Sequence, residues 1–310
     1  MIQSEIAIEA LRMGELDNAW NVAEEGIRVT HDSTSKEIWE FRFVRAEVLR
    51  IRGRFEEALG FLEATGAPPE QRADLFAAWK MHCGYCLGLL GRYERSKQLL
   101  QEAEREASLL GMHELRCEVL LRQAMVAFLQ QDYANSDHIY RIVLDECGKL
   151  DDWYLHSAAL AGVGKVLMIQ REFAEAIPWL QDALKIVEQK QAKYAIARLW
   201  SEIAVCELGL GHSGKALKLF QDAERVNLDL GALPSYQVCV ANIGNVYYET
   251  GDYLKAIGHY ERALKIAREI KDPVSVKKWS HNIEMAFARL TEQAKVVAKK
   301  VGEAPPSPAT

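Results

Sequence analysis

Along residues 242–267, NIGNVYYETGDYLKAIGHYERALKIA, apolar side chains return every three or four positions with polar residues between them, the pattern of helices that each bury one face. Two such helical segments are separated by Gly251-Asp252-Tyr253. The same arrangement recurs along the chain, at Gly14-Glu15-Leu16, Gly53-Arg54-Phe55, Gly91-Arg92-Tyr93, Gln131-Asp132-Tyr133, Arg171-Glu172-Phe173 and Gly211-His212-Ser213. Successive spacings are 39, 38, 40, 40, 40 and 40 residues, and a fixed period of this size is the mark of a stacked repeat.

Small residues keep the same register. Seven positions before each turn stand Ala7, Ala46, Gly84, Ala124, Gly164, Ala204 and Gly244; five positions after it stand Ala19, Ala58, Ser96, Ser136, Ala176, Ala216 and Ala256. Helices that cross closely need positions without bulk, where a larger side chain would cost about 1–3 kcal/mol in overpacking. The turn residues divide the remaining work: Gly ends the first helix in a left-handed conformation, an acidic neighbour favours the next helix start, and the aromatic fills the elbow. Nine residues after the turn, Leu62, Leu100, Tyr140, Leu180, Phe220 and Tyr260 supply a large apolar partner, replaced by Ala23 in the first copy. Each copy therefore reads as a helical hairpin.

Small residue, Gly-Asp-Tyr turn, Ala, aromatic, Ala: this series resembles the tetratricopeptide repeat, and residues 242–263 look like its consensus almost letter for letter. The resemblance covers roughly residues 1–272. The 40-residue period is similar to the long-helix arrays of spindle-orientation adaptors, kinesin light chains and bacterial CHAT-associated proteins, where the extra residues lengthen helices rather than loops. Arg45 and Gln123 depart from the family's usual Leu, and Gly211-His212-Ser213 lacks the aromatic. The fold expected is an all-α, right-handed superhelical solenoid of seven hairpins over 1–272 and a capping helix over 273–301. Trp279, Ile283, Phe287 and Leu290 would form the buried stripe of that cap. The segment 302–310, GEAPPSPAT, reads as a disordered Pro-rich tail or linker.

Composition agrees with a stack of helices. A chain of 310 residues exceeds the usual size of one core, and only 8 Pro are present. A net charge of -6 gives no basic field for nucleic acid, and the early Glu5 and Glu9 do not suit a signal peptide. No segment has the length of a membrane span, and the six Cys lie scattered in helical pattern, so a cytoplasmic protein with reduced thiols is expected.

Catalytic and cofactor motifs fail on their spacing. Cys83 and Cys86 form a CxxC without a second pair, and they flank the small Gly84, which reads as packing rather than a metal site. Gly164-Lys165 lacks the first Gly and the following Ser or Thr of a phosphate loop. Gly211-His212-Ser213-Gly214 lacks the strand and spacing of a nucleophile elbow. No catalytic residue, metal or cofactor is expected.

The resemblance places a concave binding surface on the first helix of each hairpin, at positions 13, 10, 9, 6, 3 and 2 residues before the turn. Those offsets give Met81, His82 and Tyr85; Leu121, Arg122, Met125 and Phe128; Lys165 and Met168; and Asn242, Asn245 and Tyr248. Tyr85, Met125 and Phe128 are the expected apolar anchors, Arg122 and Lys165 the orienting charges, and Asn242 and Asn245 the amides that clamp a peptide backbone. The function implied is a non-enzymatic scaffold that takes a protein segment, an apolar-anchored peptide or amphipathic helix, into this groove. Two alternatives stay open: the regulatory module of a larger protein such as a CHAT-type peptidase, and a peptide or small-effector sensor.

Overall fold

The computed structural model describes residues 3–69, 71–148, 150 and 152–302, with the side chains of Cys147 and of 298–302 left aside. Within these residues the chain is entirely helical: seven hairpins and a closing helix. The hairpins are α1 (Gln3–Met13) with α2 (Leu16–Val29), α3 (Lys36–Ile51) with α4 (Phe55–Ala64), α5 (Ala73–Leu89) with α6 (Tyr93–Leu109), and α7 (His113–Leu129) with α8 (Tyr133–Cys147). They continue with α9 (Trp153–Ile169) and α10 (Phe173–Gln189), α11 (Lys193–Gly209) and α12 (Ser213–Asp229), and α13 (Leu233–Glu249) and α14 (Tyr253–Glu269). Helix α15 (Pro273–Gly302) ends the described chain, and the tail expected over 302–310 lies, past Gly302, outside it.

The period of 40 divides in two. From α6 onward every helix begins 20 residues after the previous one, and all from α5 to α14 except α8 are 17 residues long. The turns within and between hairpins are alike because both use a left-handed residue: Gly251 (φ 82°) closes α13 and Gly231 (φ 63°) closes α12. At the former, the amides of Gly251 and Asp252 donate to the carbonyls of Tyr248 (3.1 Å) and Tyr247 (2.9 Å), capping the last turn. Gln131 (φ 65°), Arg171 (φ 66°), Gln191 (φ 56°) and Lys271 (φ 56°) take this conformation without being Gly. In the sixth hairpin, which lacks the elbow aromatic, the Glu207 carboxylate bridges His212 Nδ1 (2.7 Å) and Lys215 Nζ (2.6 Å) across the turn.

Both rows of small residues lie at the helix crossings, where every Ala and Ser among them is at most 2% exposed. A Cβ on Gly244 would stand 2.8 Å from Tyr260 Cε1 and 3.2 Å from the Ala256 carbonyl oxygen; on Gly164 it would stand 2.7 Å from Leu180 Cγ. Large partners such as Leu62, Leu180 and Phe220 are wholly buried beside them. Cys83 and Cys86 belong to the same interior, and burial pushes the Cys86 thiol up to about 12.

Helix α15 covers α14 with Trp279, Ile283, Ala286 and Leu290. Phe287, expected in that stripe, is instead 49% exposed. The reason is angular: the packed positions follow steps of four, three and four, and Phe287 stands one residue beyond Ala286, about 100° around the helix. No helix among the described residues is long and apolar enough to cross a membrane.

Candidate functional site

The odd-numbered helices pack on one another in succession and form the inner wall of the coil. They do not enclose an open trough, as the offsets alone imply, because the coil closes on itself. A Cβ on Gly14, in the α1–α2 turn, would meet the Tyr194 amide nitrogen of α11 at 2.7 Å. One on Gly53, in the α3–α4 turn, would meet Pro234 of α13 at 2.8 Å and Ile270 at 3.6 Å. Ala232, Leu230 and Tyr194 join the core of the first two hairpins, and Arg12 of α1 reaches Asp152 (3.2 Å) and Glu118 (3.8 Å). Glycine is needed at both turns for its positive φ and for this close approach.

Closure leaves a central cavity of about 680 Å3, lined from α1, α3, α5, α7, α9, α11 and α13. Its wall is apolar over most of its extent, through Ile8, Leu11, Phe43, Met81, Leu121, Met125, Met168, Val205 and Val238. Of the twelve residues singled out in the sequence, nine border it: Met81, His82, Tyr85, Leu121, Arg122, Met125, Lys165, Met168 and Asn242. Met81 and Tyr85 do so from within the packing, with only 1% and 4% of their surfaces exposed, so they are wall rather than free anchors.

Three of the twelve lie elsewhere. Phe128 packs in the core with its ring against Tyr133, centroids 5.3 Å apart, and with the Lys165 ammonium 4.5 Å from its centroid. Tyr248 packs against Tyr253 and the α15 contact cluster. Asn245 accepts from the Tyr260 hydroxyl (2.7 Å) and donates to Asn242 Oδ1 (3.0 Å), so its amide serves the fold; Asn242 alone reaches the cavity. Of the two amides expected to clamp a backbone, only Asn242 borders the cavity.

Besides Arg12 with Glu118 and Asp152, and Glu40 with Lys36, the cavity charges form two groups. Toward α3, Glu47 meets Arg50 (2.7 Å), His82 Nδ1 (3.1 Å) and Arg122 (3.7 Å). Burial opposes the charge on Glu47, but Arg50, Arg122 and His82 together hold its carboxyl well below the usual range. Arg122 further stacks over Tyr85, 4.7 Å from the ring centroid, so this expected orienting charge already has internal partners. Toward α9 and α11 stand Lys165, Arg198 and Glu202. Burial lowers the Lys165 pKa, Arg198 adds to that effect, and Glu202 opposes it.

Sequence reasoning missed Glu47, Arg50, Arg198 and Glu202, although the same offsets find them. They stand 6 and 3 residues before Gly53, and 13 and 9 before Gly211. Arg12, 2 residues before Gly14, was missed in the same way, whereas Tyr194 carries no such signal, since only the closure brings it to the cavity.

Two tetratricopeptide-repeat family models match the sequence, over residues 239–270 and 5–72. A comparison with curated proteins finds no match. Among solved structures, a Rap protein complexed with Competence and Sporulation Factor is similar with a TM-score of 0.64 and 18% identity, over 96% of this chain and 88% of that one. A signal-transduction ATPase with a tetratricopeptide repeat sensor from Pyrococcus horikoshii gives a TM-score of 0.57 at 15% identity, over 94% of this chain but only 47% of that protein. Aspartyl phosphate phosphatase F from Bacillus subtilis gives 0.56 at 14% identity, over 94% and 80%. At these identities the likeness is one of fold.

Proposed function

Because the chain is a tetratricopeptide-repeat protein, we propose that it is a binding scaffold whose central cavity takes a short extended peptide. The observation that carries this is the mainly apolar central cavity of about 680 Å3 to which all seven first helices contribute. That volume lies within the ordinary range of small-ligand sites, about 300–1,000 Å3. A few residues of extended chain suit a site of this size. Met125, Met168 and Leu121 offer adaptable apolar contacts, and Asn242 an amide for the ligand backbone. The Rap protein of similar fold, itself complexed with a factor, supports a protein or peptide ligand.

The test compares acetylated random pentapeptide pools with helix-forming 20-residue pools by native mass spectrometry. Pentapeptides are expected to bind, and Met125→Trp, which fills the cavity, to abolish binding without loss of helical circular dichroism. Retention of only the long helices, or binding unchanged by Met125→Trp, would reject this reading.

A second reading, the sensor module of a larger signalling protein, is favoured by the likeness to a sensor-bearing ATPase of which this chain spans about half. Ligand-dependent change in an activity encoded beside this segment would support it, and an isolated product of this length would count against it.

A further inference from the structure

We infer that the ligand enters this cavity with a carboxylate seated between Lys165 of α9 and Arg198 of α11, an inference that rests on the peptide-binding reading above. The argument is a local charge imbalance. Glu47 has Arg50, Arg122 and His82 as ion-pair partners, Arg12 has Glu118 and Asp152, and Glu40 has Lys36 (3.3 Å) and the Ser4 hydroxyl (2.6 Å). What remains on the wall is two cations and one acid.

Among the described residues neither Lys165 nor Arg198 has an ion pair or a hydrogen bond; Lys165 has only the face of Phe128, 4.5 Å from its ammonium. Glu202 is the acid that acts on both, and its Oε2 is buried without a hydrogen-bond partner. Lys165, Arg198 and Glu202 together thus carry one positive charge in excess, on two cations that lack an ion-pair partner on the cavity wall. An unpaired cation in such a place is unfavourable unless an anion completes it, and it would then contribute far more than at the surface.

The size of the imbalance selects the anion. One carboxylate neutralises the group, whereas a phosphate monoester, with about 1.5–2 negative charges, would leave an excess facing Glu202. Tyr140, Tyr154 and Tyr194 line the same cavity, and their phenols are a source of donors for the remaining carboxylate lone pairs. Such a carboxylate could come from the peptide terminus or from an Asp or Glu side chain, and the experiment separates these sources.

Three acetylated pentapeptide pools serve as probes on the full chain: one with a free terminal carboxylate and no acidic residue, one amidated with Glu fixed at one position, and one amidated without acid. Wild type should bind at least one of the carboxylate pools and retain the third at least roughly tenfold more weakly. Lys165→Met and Arg198→Met should remove that preference. Glu202→Gln should tighten carboxylate binding, an effect that a purely structural role for Glu202 would not produce. Without ligand, Lys165→Met should raise the melting temperature, because it removes an unpaired cation; a lowered one would mark Lys165 as a structural partner of Glu202 and overturn the inference. Equal binding of all three pools would also overturn it while leaving the peptide reading intact. Failure of all three would bring down both.

Discussion

At the scale of single residues the crossing points are the most sensitive. Gly244→Ala should destabilise the protein by about 1–3 kcal/mol, read as a lower urea midpoint, because Tyr260 and the Ala256 carbonyl occupy the space of the added methyl. The left-handed turns give the opposite sign at non-glycine positions. Gln131→Gly and Arg171→Gly should each raise stability by roughly 1 kcal/mol, since a side chain at φ 65–66° costs about 1–2 kcal/mol that Gly avoids in part. Glu47 is the residue whose charge matters most. Removing it leaves Arg50 and Arg122 facing each other, and Glu47→Ala should cost about 3–5 kcal/mol in chemical denaturation. Its folded pKa is depressed below the reference of 4.5, so this contribution is present above pH 4.5 and is lost as pH falls through the lower folded value. Wild type should therefore lose stability in acid more steeply than Glu47→Gln.

At the scale of elements, the hairpins were legible because their two rows of small residues follow from the geometry of any close helix crossing, whatever surrounds it. Turn positions, crossing points and large partners all stand where periodicity puts them, and 17-residue helices agree with a long repeat. The cap was legible in position but not in rotation. Trp279 and Phe287 separate the two: Trp279→Ala should cost about 3–5 kcal/mol, whereas Phe287→Ser should stay within about 0.5 kcal/mol in the same thermal scan. Phe287 was misplaced because a single apolar helix tolerates two overlapping stripes, i+4 and i+8 or i+4 and i+7, and only the partner surface of α14 chooses between them.

At the scale of the molecule, the decisive feature is the contact between the first two turns and α11 and α13. Arg at Gly14 and Gly53 together should open the coil, increase its radius of gyration in small-angle scattering and weaken retention of pentapeptides. Hairpin identity, register and the list of inward positions depend on neighbours close in sequence, which is why the amino-acid sequence alone determined them. The closure and the pairing of Glu47 with Arg122 depend on residues 75–217 positions apart, and the isolation of Lys165 and Arg198 depends on the same long-range packing. A small rotation added at each hairpin accumulates along the stack, so whether its ends meet is decided by the sum of many packings. No local pattern encodes that sum, and only the tertiary structure turned a row of inward side chains into a central cavity with two unpaired cations on its wall.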